Sequence, residues 1–302
     1  MGVRRVVLSF AALLVLAACG GGSTAVPIPG STVTPDPGSS SLGYAVTSGT
    51  NRVQPSTLAY SVYPTDSTAA LRTVSFPGGE AIRFDTLGTL WLDTIGSFAG
   101  TRPDGTSVGS IYGLDGSLTA FGPDDTLYVA AATELDAYSV AADLSTARTR
   151  AIPTSAYACS ADGDANGTVY IAPCSAGPAG RVWTEVDAYG LGATTSPSTR
   201  NTSAAGPLTV GHDGTLYAMY GGAIGVWPKG TFSSGAPART IPIPSNSTVA
   251  DIAADRVGNL YVVDYGTGPA ANGSGSVLYV AAAKTSAVTL MNGTFGNITT
   301  LP

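Results

Sequence analysis

One pattern limits what this chain can fold into more than any other: a hydrophobic–aromatic pair heading a short β-rich run, returning again and again along the sequence. It is Leu90-Trp91 in GTLWLD, Leu127-Tyr128 in DTLYVA and Val169-Tyr170 in GTVYIA. It returns as Leu216-Tyr217 in GTLYAM and Leu260-Tyr261 in GNLYVV, with Tyr44 in LGYAV as a weaker first copy. Successive aromatics lie 47, 37, 42, 47 and 44 residues apart. Self-similarity at such a period marks an array of one repeated supersecondary unit. Between the copies, short β-rich runs alternate with Gly, Asn, Asp and Pro turns, and no helical apolar period appears.

Each copy carries further marks. A second aromatic follows at Tyr63, Tyr112, Tyr138, Tyr189, Trp227 and Tyr279. A third element, often Arg-Thr in a β-rich run, comes some ten residues later, as in Arg72-Thr73, Arg148-Thr149 and Arg239-Thr240. Four short strands every 40 to 45 residues or so is the arithmetic of a β-propeller blade. The best copy, VADIAADRVGNLYVVDYG, resembles the NHL-type repeats of six-bladed bacterial propellers. The resemblance spans about residues 43–302 and implies an all-β chain of six four-stranded blades. A pair of β-sandwiches or a β-solenoid are the competing architectures. A single blade cannot bury both of its faces, so the aromatic anchors are expected to pack between blades.

A ring has to close. The first copy lacks an opening strand, and Asn297-Ile298-Thr299-Thr300-Leu301 can supply it by pairing with the run at Tyr44, which removes an open edge. The gaps between first and second aromatics place long loops at Thr47–Ser56, Thr94–Ser107, Cys174–Val182 and Tyr265–Ser276, and tight turns in the third and fifth blades. In propellers of this type, loops between second and third strands lie on the face usually used for binding, and loops on a rigid scaffold often carry function. Asp93, Tyr220, Asp264 and Tyr265, at the ends of second strands, are the candidate binding residues near that rim. Strand capping explains them equally well.

The segment ahead of the repeats is of another kind. Arg4 and Arg5 precede an apolar stretch, Val6 to Leu16, interrupted only by Ser9. This has the form of an export signal and is too short for a bilayer span of about 30 Å. Leu16-Ala17-Ala18-Cys19 resembles a bacterial lipobox, which implies removal of residues 1–18 and lipidation of Cys19. Gly20 after the cysteine, by resemblance to Gram-negative lipoproteins, favours the outer membrane, facing the periplasm or the surface. Residues 19–42 are rich in Gly, Ser, Thr and Pro and read as a tether to a propeller over 43–302. Without Arg4 and Arg5 the chain has 12 basic and 20 acidic residues, a net charge of −8. Such a body is not drawn to anionic lipid, so the lipid anchors it, and the same balance argues against nucleic-acid binding. Charged residues make up only 11%, against about 25% in an average domain, which disfavours long surface helices.

Export places Cys159 and Cys174 in an oxidising compartment. Copying the register around Asp255 onto Asp164 sets the two cysteines opposite each other, and a disulfide is expected. Between them, Asp162, Asp164 and Asn166, followed by Gly167, match the first half of a calcium loop. The acidic residue that completes such a loop is replaced by Pro173, and the same residue types make ordinary hairpin turns. A structural calcium ion and a plain turn both fit; no other cofactor is suggested.

No catalytic residue is assigned. His212 is the single histidine and precedes Asp213-Gly214, a turn. A Ser-His-Asp arrangement would have to pass through it. Gluconolactonase-type propellers, which resemble this chain in architecture, hold a metal with Glu, Asn and Asp in the channel. Here Glu80, Glu134 and Glu185 match none of those positions. Six Asn-x-Ser/Thr sequons read as turn and strand composition in a bacterial chain. The expectation is a lipid-anchored envelope propeller that acts as a non-enzymatic binding or assembly scaffold. Its partner would be an envelope protein, a glycan or a small ligand. A metal-dependent lactonase or related hydrolase is the alternative.

Overall fold

One turn, joining the first and second strands in five blades, sets the geometry. Asp85, Gly122, Asp164, Gly211 and Asp255 each accept the N–H three residues on and donate to the carbonyl four residues on. The fourth residue of each turn has positive φ: Gly88 at 79°, Asp125 at 60°, Gly167 at 77°, Gly214 at 82° and Gly258 at 88°. This is a type I turn closed by a residue in the left-handed region, a tight antiparallel hairpin. Where the first residue is aspartate, its Oδ1 also accepts two backbone N–H groups ahead of it. Asp85 takes those of Leu87 and Thr89, Asp164 those of Asn166 and Thr168, and Asp255 those of Val257 and Asn259.

The computed structural model describes residues 42–48, 58–64, 67–76, 81–94, 97–102, 105–177, 180–193, 195–233, 235–245, 247–265, 275–282, 284–293 and 295–300. Their strands form six antiparallel sheets arranged as a six-bladed β-propeller. From inside outwards, the second blade is Ile82–Phe84, Leu90–Thr94, Ser97–Thr101 and Ser107–Tyr112. The third is Ser117–Phe121, Leu127–Ala130, Glu134–Val140 and Thr146–Pro153. The fourth is Tyr157–Gly163, Val169–Gly177, Val186–Tyr189 and Thr199–Asn201, with Gly180–Trp183 paired to the far end of its second strand. The fifth is Ala204–Val210, Leu216–Tyr220, Ala223–Trp227 and Arg239–Pro242. The sixth is Val249–Ala254, Leu260–Asp264, Gly275–Val280 and Val288–Gly293.

The first blade takes its innermost strand from the other end of the repeat array. Phe295–Thr300 pairs with Leu42–Ser48, followed outwards by Leu58–Pro64 and Arg72–Phe76. Tyr44 faces Thr300 and Val46 faces Ile298. The expected closing strand is therefore present, and the six innermost strands contact one another in a complete circle. Side chains clasp the backbone edges of these strands, which no sheet hydrogen bonds reach. Asp93 Oδ2 accepts Leu118 N at 2.9 Å, Ser160 Oγ accepts Leu208 N at 3.1 Å, and Thr299 Oγ1 accepts Phe84 N at 3.2 Å. Each joins one blade to the next.

The core is divided into six clusters, one at each junction between neighbouring blades. In five copies of the repeated pair, the first residue faces the preceding blade and the aromatic faces the following one. Leu216, for example, packs with Tyr170 of the fourth blade, and Tyr217 packs with Ile252 of the sixth. The anchors thus pack between blades, as expected. The first copy departs from this by one residue. Tyr44 stacks on Tyr261 of the sixth blade, with ring centroids 4.5 Å apart, while Ala45 packs towards the second blade. Tyr44 therefore fills the hydrophobic slot and Ala45 the aromatic slot.

Three further expectations are corrected. Tyr112 is not the second aromatic of the second blade: it ends the outermost strand and is 71% exposed. Thr94–Ser107 is not a long loop, because Ser97–Thr101 is a strand reached by a tight connection. It carries Thr101 opposite Leu90, where the third to fifth blades carry the second aromatic opposite the first residue of the pair. Gly100 faces Trp91, and a Cβ there would collide with Val108 Cγ2 and stand 2.9 Å from Trp91 Cζ3. Cys174–Val182 is likewise strand rather than loop, a hairpin of Val169–Gly177 and Gly180–Trp183. Most of Thr47–Ser56 and Tyr265–Ser276 lies outside the described residues. The fifth blade has its tight turn, Gly221-Gly222, with φ of 58° and 83°.

The disulfide between Cys159 and Cys174 is formed, with Cα atoms 5.7 Å apart. Cys159 sits at a bulge, so the residue directly opposite Cys174 is Tyr157. At the outer rim, arginines bind alternate pairs of blades. Arg72 donates to Arg102 O at 3.1 Å, Arg150 to Gly190 O at 2.8 Å, and Arg239 to Lys284 O at 2.8 Å.

Candidate functional site

The innermost strands bring one residue per blade to the axis. Arg83 is opposite Trp91, Ala120 opposite Tyr128, Asp162 opposite Tyr170, Thr209 opposite Tyr217 and Ala253 opposite Tyr261. In the first blade Thr299 is opposite Ala45. All six line an axial cavity of about 280 Å³. The residues ending the inner strands, together with His212 and Arg256 in the hairpin turns, complete its wall. The cavity therefore opens on the face of the turns, opposite the face of the loops between second and third strands. The two alanines lie three blades apart, across the ring from each other, and their small side chains leave the space.

Arg83 is the axial cation. Its Nε donates to Thr119 O at 2.6 Å, and its Nη1 to Ile82 O at 2.8 Å and to Asp251 Oδ2 at 3.2 Å. Asp251 stands on the sixth blade, so the pair spans the whole first blade. Asp251 Oδ2 also accepts Ile298 N of the closing strand at 3.1 Å. Asp162 accepts Gly163 N through Oδ1 and, through Oδ2, Val210 N at 2.8 Å and the Thr209 hydroxyl at 3.2 Å. Burial pushes its carboxyl up from 3.8 to about 6, against the opposing pull of those hydrogen bonds and of Arg83. Tyr128, buried against Gly163 with Asp124 nearby, has its phenol held well above the ordinary range, chiefly by burial.

Of the residues singled out in sequence, Asp162 is the one on the axis. Asp164 and Asn166 are on the turn below it, where Asp164 Oδ1 holds the N–H groups of Asn166 and Thr168 as its counterparts do in other blades. No group of three His, Cys, Asp or Glu side chains suited to a metal occurs among the described residues. Asp93, Tyr220, Asp264 and Tyr265 lie at the opposite end of the blades. Asp93 and Asp264 are buried, and Asp264 accepts Thr248 N at 3.0 Å and the Ser247 hydroxyl at 2.7 Å. Tyr220 packs edge-on against Trp227 at 5.9 Å, and Tyr265 N donates to Thr248 O at 2.9 Å. Cys19 and Glu80 lie outside the described residues. Glu134 pairs with Arg148 at 2.8 Å, and Glu185 lies 3.6 Å from Arg200, both away from the axis.

The ring was nonetheless marked in the sequence. Arg83, Ala120, Asp162, Thr209 and Ala253 each stand eight residues before an aromatic anchor. The offset is constant because the turn is the same each time.

No family model matches the chain, and no curated protein matches it. Among solved structures it is similar to a protein of unknown function from Bacteroides caccae, at 12% identity and a TM-score of 0.59. That match covers 86% of this chain and 99% of the other. It is also similar to KlHsv2 with loop 6CD replaced by a Gly-Ser linker, at 13% identity and a TM-score of 0.44, over 74% of this chain and 73% of that one. The Bacteroides likeness speaks to the fold alone.

Proposed function

We propose that this protein is a lipid-anchored propeller of the bacterial cell envelope that works as a binding scaffold rather than an enzyme. The observation that carries the binding role is the axial cavity on the turn face. The two charged groups on its axis are held before any ligand arrives, Arg83 by Asp251 and Asp162 by Gly163, Val210 and Thr209. A pocket whose polar groups are fixed before binding favours recognition. The anchoring rests on Arg4-Arg5, the apolar run and Leu16-Ala17-Ala18-Cys19. The strand Leu42–Ser48, with which the described residues begin, lies next to Thr300, which lines the cavity.

Fractionation of cells making the chain tests the anchor. The wild type is expected in the membrane fraction with labelled fatty acid incorporated, and Cys19→Ala without label. Label retained by Cys19→Ala, or a wild type that stays in the cytoplasm, refutes the anchoring.

A further inference from the structure

The charge, size and lining of the axial cavity together select a ligand class. We propose that the cavity receives one neutral, polyhydroxylated unit of monosaccharide size, free or as the end of a glycan. This deepens the reading of the protein as a binding scaffold and rests on it.

Size comes first. At about 280 Å³ the cavity stands at the small end of ligand pockets. Charge comes second. Arg83 already has Asp251 at 3.2 Å and lies close enough to Asp162 to lower its carboxyl. The wall carries Arg83 and Arg256 against Asp162 and Asp164, so both signs are matched and an uncharged ligand leaves the balance intact. Third is the remaining hydrogen-bonding capacity. Arg83 Nη2 has no hydrogen bond to the described residues, which leaves two N–H donors. Thr209 donates to Asp162 and keeps its lone pairs, while Thr299 accepts from Phe84 N and keeps its O–H. The donors of Thr299 and Arg83, on the first and second blades, thus stand across the ring from the acceptors of Asp162 and Thr209, on the fourth and fifth, which suits a ligand whose hydroxyls do both. Fourth, Phe84 and Phe121 are among the residues that line the same cavity and add an apolar part to its wall.

Thermal unfolding and calorimetry of the full chain in detergent test the proposal. The probes are glucose, galactose, mannose and N-acetylglucosamine, with acetate and putrescine as charged controls. At least one sugar is expected to raise Tm by several degrees through native-state binding, and the charged controls to have no effect. Ala120→Leu, which fills the cavity, and Thr209→Val, which removes a hydroxyl, are expected to weaken that sugar at least tenfold. Should Ala120→Leu fail to fold, Thr209→Val decides. Sugar binding untouched by the variants overturns the site. Binding of a charged control in place of sugars overturns the ligand class and leaves the scaffold reading standing. No response to any probe overturns the inference, and the anchoring stands or falls separately on Cys19→Ala.

Discussion

Asp162→Asn isolates the one axial group whose protonation is coupled to folding. Burial lifts this carboxyl from 3.8 to about 6. Between those values the folded chain holds a proton that the unfolded chain has released. The group's contribution to stability is therefore fully present below pH 3.8 and is lost as pH rises through about 6. A gap of that width corresponds to about 3 kcal/mol between the two protonation states. Asparagine occupies the same volume and does not titrate. It also loses one of the hydrogen bonds to Gly163 N, Val210 N or Thr209, which adds a constant penalty of about 1 kcal/mol. The readout is thus the pH slope and not the offset. Urea unfolding followed by tryptophan fluorescence should show the variant gaining about 2–3 kcal/mol on the wild type between about pH 4 and pH 7. A difference that stays constant, or that moves the other way as pH rises, refutes the placement of Asp162 as a desolvated carboxylate.

Three further outcomes are expected. Cys174→Ser opens the link across 15 residues and should cost about 3 kcal/mol in urea unfolding; an unchanged midpoint says that the bridge contributes nothing. Gly100→Ala pushes a methyl group against Trp91 and Val108 and should destabilise by about 1–3 kcal/mol, with altered tryptophan fluorescence. Ending the chain at Gly293 removes Phe295–Thr300 and exposes Tyr44, Val46 and Tyr261. A loss of cooperative unfolding and aggregation are expected by calorimetry and light scattering, and a truncated chain with wild-type Tm would show that the ring is sealed otherwise.

The fold was readable because its packing unit is chemically conspicuous. A pair such as Leu260-Tyr261 after Gly258 reports both the turn and the two junctions it fills. The closing strand was readable because Leu42–Ser48 needed an inner partner and the run around Ile298 remained unused. Misreadings arose where a blade departs from the repeated pattern. The second blade has Thr101 where the third to fifth carry the second aromatic, so a strand looked like a loop, and Tyr112 was enlisted instead. Tyr44, an aromatic in an aliphatic slot, hid a one-residue offset. The cavity was harder to see because Arg83, Ala120, Asp162, Thr209 and Ala253 share no chemistry. They share only a distance from their anchors, and residue type, the usual clue to a site, points elsewhere.

Closure of the ring by Phe295–Thr300 also fixes the timing of folding. The strand and its partner at Tyr44 stand at opposite ends of the repeat array, so the contact between them has the largest loop-closure cost in the fold. Until residue 300 has been synthesised, the first blade has no inner strand, and the faces of Tyr44 and Tyr261 have no permanent cover. The topology thus delays the sealing of the ring until the whole array has been made, and every earlier stage leaves the same two aromatic faces waiting for one short strand.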